Sequence, residues 1–380
     1  MRKKKILFRN RSLEVGGSEK ILLNILQNLD RNKFDITLVL NFKEGEFINQ
    51  LPPDIKVKSI TNGIDFLNKN SFLSKLNRAI KRLQYFLFQI YPIAFYKKHQ
   101  LMDIETEIAF SHYMIPTVLN SPIKASKKIF WFHGDLLEFS LTDDEKYKLV
   151  QSLLKFDQGV FVSEHSKKNI ENNYKIKLSN STVIYNPINT MEIKDKSNEE
   201  MNETISFFDF ISIGRFGKAK GFDDLVNAHY LLINEGYKIN TAIVGSGEEY
   251  ENIKQLIKHY NLEDSFHLLG FQSNPLKYLK NSNYFIFPTY TESYPTVVAE
   301  SLILGVPVLS TNVGGIPEMV INEQEGFLFN PGKENVYKYM KKALDDKELL
   351  IQLKQNCKQS HLKFNLEQQL NKIEQLFINI

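Results

Sequence analysis

The chain has 380 residues, 42 % apolar and 12 % aromatic, with a formal net charge of +4. That length exceeds one ordinary hydrophobic core and suits two, and so mild a charge gives no reason to expect a nucleic-acid partner. The single cysteine, Cys357, excludes an internal disulfide, the apolar run before Asn10 is too short for a secretory signal, and no stretch reaches the roughly 18 apolar residues of a membrane span, so a cytoplasmic protein is expected.

Short apolar runs alternate with helical patterns along the whole chain, which predicts an α/β protein built on parallel sheets covered by helices. In the first half, strands are expected at 5–9, 35–40, 56–60, 105–110, 128–133, 159–163 and 182–185, with helices in most gaps. Between Asp65 and Asp103 there is no acidic residue, whereas Lys69, Lys75, Arg78, Lys81, Arg82, Lys97 and Lys98 all fall there. Within that stretch Leu73, Leu76, Ile80, Leu83, Leu87 and Ile90 recur at steps of three and four, with Arg78, Arg82, Tyr85 and Gln89 off that line. Such a stripe predicts a helix packed on the first domain. The cations beside Phe86, Phe88, Phe95 and Tyr96 also make residues 72–98 a candidate contact for an anionic membrane surface. The polar stretch 190–204 reads as an interdomain linker. A second series of strands is expected at 207–214, 241–245, 266–269, 284–288, 306–310 and 326–329, and Leu362, Leu366, Leu370 and Ile373 are spaced as one face of a final helix. The expected division is 1–188, 189–360 and a C-terminal helix in 361–380 returning to the first domain.

In doubly wound sheets ligands bind outside the carboxyl ends of the strands, so the loops after strands carry the chemistry. Gly16-Gly17 lies between the first strand and a helix expected from about Glu19, where bare amides can approach an anion. Its spacing is not the glycine fingerprint of nicotinamide dehydrogenases. In the second series Arg215 and Lys220 flank a glycine-bearing loop after a parallel strand, an arrangement suited to a diphosphate. Farther on, a loop carries Glu292, Pro295 sits where the first turn of a helix should start, and Glu300 lies about one turn inside. The free amides and dipole of such a helix start favour phosphate, and a carboxylate at Glu300 could accept from vicinal sugar hydroxyls.

Glu292 and Glu300 with seven residues between them, then Gly305-Val306-Pro307-Val308 and Val313-Gly314-Gly315-Ile316-Pro317-Glu318, resemble the signature of the retaining, family-four (group 1) glycosyltransferases of GT-B architecture. Gly16-Gly17, Phe132-His133-Gly134, Val162-Ser163, Asn186-Pro187, Gly214-Arg215, Lys220-Gly221 and Val244-Gly245-Ser246-Gly247 extend the resemblance over almost the whole chain. It is weakest between Asn41 and Gln100. The resemblance implies two Rossmann-like domains facing across a cleft, the first for acceptor and the second for donor. It implies that Arg215 and Lys220 hold the donor diphosphate, Glu300 the ribose, and Glu292 the hydroxyls of the transferred sugar. Amides around the run Ser293, Tyr294, Pro295, Thr296 and Val297 are then expected to complete the phosphate site, with Gly16, Gly17, Gly245 and Gly247 at the donor site and Phe271 and Gln272 near the base. His133 is expected beside the anomeric carbon and, with Glu292, as a catalytic residue, while His112 is expected to be structural or acceptor-facing. Family members commonly carry glycine and phenylalanine where this chain has Ser293-Tyr294.

No Asp-x-Asp pair occurs, so no metal and no cofactor beyond the nucleotide-sugar co-substrate is expected, the leaving diphosphate being neutralised by cations and the helix start. The function these features imply is transfer of a sugar, with UDP-sugar the family default, to a glycan or lipid-linked acceptor in bacterial cell-surface polysaccharide biosynthesis. A peripheral position on the inner face of the cytoplasmic membrane goes with it. A sugar-nucleotide epimerase and a non-catalytic partner subunit on the same frame are the competing readings.

Overall fold

The computed structural model describes residues 2–63, 72–136, 139, 141–200 and 207–380, with the backbone alone for 72–76. The chain divides into two compact units, Met1–Pro187 together with Glu367–Ile380, and Ile188–Leu366.

The first unit is a parallel sheet of seven strands, β1 (Lys4–Asn10), β2 (Phe34–Lys43), β3 (Lys56–Asn62), β4 (Thr106–Ala109), β5 (Lys127–Phe132), β6 (Gln158–Phe161) and β7 (Ser181–Val183), in the order β3-β2-β1-β4-β5-β6-β7. Its helices are α1 (Gly17–Asn28), α2 (Phe72–Ile90), α3 (Pro92–Lys98), α4 (Ile115–Leu119), α5 (Asp143–Leu153) and α6 (Glu164–Tyr174). Ile6, Leu7 and Phe8 of the central β1 are fully buried, as a strand covered on both faces requires. In register, Phe8 faces Leu38 of β2 and Ile108 of β4. Local signals set the helix starts. Thr142 and Glu145 form a reciprocal capping box on α5, and the Ser163 hydroxyl accepts from the Ser166 amide at 3.1 Å on α6.

The basic segment departs from its expected packing. α2 leans on the unit through Tyr85, stacked on Phe42 at 6.1 Å, and through Phe88, which is buried under the Arg9 guanidinium at 4.8 Å. Its aliphatic stripe, Ile80, Leu83, Leu87 and Ile90, faces outward instead. The polar edge of the helix packs because Lys81 donates to the Gly63 carbonyl and Asn41 donates to the Tyr85 hydroxyl at 3.4 Å. Tyr96 of α3 is likewise buried rather than interfacial, its hydroxyl donating to Glu107 at 2.6 Å and accepting from Arg9 at 3.2 Å. Burial first, then the Glu107 charge, push its phenol up to about 12 against the pull of Arg9.

The second unit is a parallel sheet of six strands, β8 (Phe208–Ile213), β9 (Thr241–Val244), β10 (Phe266–Gly270), β11 (Ser282–Phe287), β12 (Val308–Thr311) and β13 (Gly326–Phe329), ordered β10-β9-β8-β11-β12-β13. Its helices are α7 (Thr190–Ser197), α8 (Phe222–Asn234), α9 (Tyr250–His259), α10 (Leu276–Lys280), α11 (Thr296–Ile303), α12 (Lys333–Asp345) and α13 (Lys347–Cys357). Phe210, Leu225, Ile243, Ile286, Leu309 and Met340 centre one core between sheet and helices. The expected linker is corrected here. Residues 190–197 form α7, capped by the Asn189 side chain accepting from the Glu192 amide at 3.1 Å, with Ile193 buried and the helix packed on α10 and α11. One well-placed isoleucine and a cap outweigh the polar composition; 201–206 lie outside the described residues.

The last helix, α14 (Leu366–Asn379), belongs to the first unit. Phe377 meets Phe8 and Phe34 edge-on at 6.0 Å each, and Glu374 accepts from the Asp30 amide at 3.0 Å and pairs with Lys33 at 2.6 Å. Leu362 is not on its face. It is exposed in a separate turn, Ser360–Lys363, which the non-helical Phe364 breaks from α14, and the chain up to Leu366 stays with the second unit.

Candidate functional site

In each sheet the chain order reverses once, between β1 and β4 and between β8 and β11. Loops leaving adjacent strands diverge there and open a crevice at the carboxyl edge.

In the second unit the loop after β8 turns through a short helical turn, Lys218–Lys220, into Gly221, and the loop after β11 runs from Pro288 to Pro295. These two loops are tied together. The Ala219 carbonyl accepts from the Tyr290 amide at 2.7 Å and from the Thr289 hydroxyl at 3.0 Å. Gly221 has φ +64°, and a Cβ there would overlap the Pro288 carbonyl oxygen, so only glycine lets the loops close this tightly. Tyr290 completes the clasp by donating from its hydroxyl to Asp224 at 2.7 Å.

The clasp brings Lys220 and Glu292 into a direct ion pair, both side chains largely buried. Lys220 also lies over the Phe287 ring, 5.4 Å from its centre, and the Thr289 hydroxyl reaches the Glu292 carboxylate at 3.4 Å. From the other side the loop after β12 approaches at Gly314, φ +58°, where a Cβ would overlap the Glu292 carbonyl oxygen. Ser293 and Tyr294 are buried, and Pro295, just outside the first turn in which it was expected, caps the start of α11 with Thr296 and Val297 in its first turn. Glu300 is buried one turn inside that helix. The Val298 amide is taken by the Pro295 carbonyl at 3.2 Å, while the Thr296 and Val297 amides before it have no carbonyl one turn back to meet, which makes the opening of α11 an anion-favouring end.

The remaining expected donor residues surround this pair unevenly. Arg215 is highly exposed and pairs with Glu248 at 3.0 Å rather than with the Lys220–Glu292 pair. Gly245 and Gly247 lie in the loop after β9, Gly245 donating its amide to the Gly270 carbonyl at 2.8 Å, with φ +148° and +154°. Phe271 is exposed beyond β10, and Gln272 folds back to donate to the Leu269 carbonyl at 2.9 Å. Sequence reasoning missed Asp224, Thr289 and Tyr290. Asp224 left no signal, and the one for Thr289 and Tyr290 was the run Thr289-Tyr290-Thr291 beside a motif glutamate, because the partners lie some 70 positions apart.

The first unit presents different chemistry at its own carboxyl edge. Gly16 caps α1 and Gly17 is its first residue. His133 directly follows β5, its ring 4.5 Å from Phe110 and parallel to Trp131, and its buried Nε2 has no hydrogen-bond partner among the described residues. Burial, with a lesser contribution from His112, pushes its imidazole down to about 3. Burial alone lowers His112, stacked 3.8 Å from Phe139, to about 4. Both rings are therefore neutral at physiological pH.

With this geometry in place, comparisons with known proteins define the class. The structure of Anabaena HepE in complex with UDP-glucose superposes with a TM-score of 0.80 over 99 % of this chain and 100 % of that one at 19 % identity, and the shared fold is GT-B. Residues 192–360 match the family Glycosyl transferases group 1, a range that holds Arg215, Lys220, Glu292 and Glu300. An uncharacterized glycosyltransferase of Haemophilus influenzae is 27 % identical over 89 % of both chains. The N-acetylgalactosamine-N,N'-diacetylbacillosaminyl-diphospho-undecaprenol 4-alpha-N-acetylgalactosaminyltransferase of Campylobacter jejuni is 29 % identical over 56 % of this chain and 58 % of its own. The chain is a glycosyltransferase of GT-B fold, and the greater part of its second unit matches the group 1 glycosyl transferases.

Proposed function

We propose that this enzyme moves a sugar from a nucleotide-diphosphate sugar, with UDP-sugar the first candidate, to a glycan or lipid-linked oligosaccharide, retaining configuration, in the assembly of a bacterial cell-surface polysaccharide. The observation that carries this reading is the Lys220–Glu292 pair, clasped at the switch point of the second sheet beside the open start of α11 and the buried Glu300. HepE is solved with UDP-glucose, and the Campylobacter relative is named for a diphospho-undecaprenol substrate, which supports the choice of donor and of acceptor class.

In this mechanism Lys220, already held by Glu292, turns N–H donors to the donor phosphates, joined by the amides of α11 and by Arg215 swinging from Glu248. Glu292 is then left to accept from the hydroxyls of the transferred sugar, and Glu300 from the ribose. The sugar–diphosphate bond breaks through an oxocarbenium-like state, the diphosphate takes the acceptor proton, and the hydroxyl enters from the face the leaving group vacates. Neutral His133 serves as a hydrogen-bonding group toward the sugar rather than as a charge. Because these groups neutralise the leaving diphosphate, no divalent cation and no cofactor is required. The same reading places the enzyme at the inner face of the cytoplasmic membrane, where a lipid-linked acceptor is presented.

The test is release of free nucleotide from uridine, guanosine and adenosine diphosphate sugars, with chelator present and with or without lipid-linked acceptors. Acceptor-dependent release from one donor, with an α-linked product from an α-linked donor by NMR, is expected. A β-linked product would overturn retention, loss of turnover with chelator would overturn metal independence, and interconversion of the donor sugar without an acceptor would point to an epimerase.

A further inference from the structure

Among the described residues, the aliphatic face of α2 is a large apolar surface that neither core uses. At 100° per residue, Ile80, Leu83, Phe86, Leu87 and Ile90 share an arc of about 120°. Their exposure runs from 44 % for Ile80 to 64 % for Ile90. The opposite side of the helix holds it to the sheet, through Lys81 on the Gly63 carbonyl, Tyr85 on Phe42, and buried Phe88. Isolated exposed leucines are ordinary, but five large apolar side chains on one face are a contiguous surface with no occupant among the described residues.

Charge selects the occupant. No carboxylate occurs from Phe66 to Met102, while exposed Arg82 borders the stripe and exposed Lys97 and Lys98 end the next helix. A protein partner has no need of one-sided positive charge beside a greasy stripe, whereas a bilayer with anionic headgroups needs both. Either signal alone binds membranes weakly and reversibly, and the two together suffice for stable peripheral attachment.

We infer that the outward face of α2 is a membrane-docking surface: Leu83, Phe86, Leu87 and Ile90 enter the boundary between headgroups and acyl chains of an anionic phospholipid bilayer, and Arg82 meets the lipid phosphates. This deepens the membrane location proposed above and rests on it. It also assigns the contact to the aliphatic stripe rather than to the aromatic residues Phe88 and Tyr96, which are buried. No helix among the described residues is long and apolar enough to cross a membrane, so docking in the plane of the interface is the mode this surface allows.

The experiment is co-sedimentation of the full chain with vesicles of phosphatidylcholine alone and of phosphatidylcholine with one quarter phosphatidylglycerol. Wild-type partitioning should favour the anionic vesicles by about tenfold or more. Leu83→Asp with Leu87→Asp should reduce that binding by about tenfold or more without changing the thermal unfolding temperature, and Arg82→Glu should reduce it severalfold. In a separate variant, Leu87→Trp should show a blue-shifted emission with anionic vesicles. Binding that Arg82→Glu abolishes but the double aspartate leaves intact would overturn insertion. A wild-type dimer that ignores vesicles and that the double aspartate dissociates would overturn the lipid assignment in favour of a second copy of the chain. If vesicle binding behaves as expected while no donor releases nucleotide, the catalytic proposal fails and the docking surface stands.

Discussion

The carboxyl edges of the two sheets have the same topology and opposite chemistry. In the second unit, loops after β8, β11 and β12 converge on a largely buried pair of opposite charges, Lys220 and Glu292. In the first, the loops after β4 and β5 bring two desolvated, neutral histidines among Phe110, Trp131 and Phe139. A Rossmann-like sheet therefore supplies only a place. Whether that place binds a diphosphate or presents an uncharged surface depends on which side chains the strand ends carry and on what neutralises them. The second edge is arranged for electrostatics and the first for packing and hydrogen bonding.

Changes in the two units should consequently fail in different ways. The largest effect is expected in the packing unit. Phe377→Ala removes a fully buried ring wedged between Phe8 and Phe34 and should lower the unfolding free energy by about 3–5 kcal/mol in urea titration. Next, in the charged unit, Lys220→Ala should lower turnover by about 10²–10³-fold, or about 2.7–4 kcal/mol, measured at a temperature where the variant is still folded. A variant that loses stability but keeps turnover would erase the contrast.

The histidines give a pH signature. The folded-state values of His112 and His133 lie near 4 and 3, below an ordinary 6.5, so from pH 6.5 downward the unfolded chain binds protons that the folded chain refuses. Their contribution to stability is complete above that pH and is lost on acidification, by up to about 1.4 kcal/mol per pH unit for each group. His133→Asn should flatten the stability profile between pH 6.5 and 4 and leave it unchanged above 7, read by urea unfolding at each pH. Buried His229, near 3 for the same reason and bonded to Thr241 and Ser265, keeps its own slope and serves as an internal control. The smallest effect is expected from Tyr290→Phe. Losing the hydroxyl bond to Asp224 should cost about 1 kcal/mol and raise KM for the donor more than it lowers kcat, because the loop carrying Glu292 is loosened rather than discharged.

Much of this was legible beforehand. All thirteen expected strands are present with ends displaced by a few residues, because strands buried on both faces write themselves as short apolar runs between glycine and proline punctuation. Glu292, Glu300, Lys220 and Gly314 stood in recognisable spacings for an equally local reason, since a strand, a tight loop and a helix start are contiguous in the chain. Misreadings arose where one residue outweighed its neighbours. Ile193 and the Asn189 cap made a helix of a stretch whose polar composition suggested a linker, and Phe364 separated Leu362 from the periodic stripe it seemed to continue.

The α2 stripe shows where such reading ends. Periodicity established that one face of the helix is apolar but not which face turns inward. That was settled by Lys81, Tyr85 and Phe88 finding partners in Gly63, Phe42 and Arg9. By itself, then, the sequence determined two parallel α/β units, the loops that carry chemistry and the residue types available in them, all properties of short range along the chain. Tertiary structure alone decided that Lys220 pairs with Glu292 while Arg215 pairs with Glu248, that Tyr290 is held by Asp224, and that a greasy face is left outside. Those outcomes depend on the distances between segments tens of residues apart, and only the folded sheet sets them.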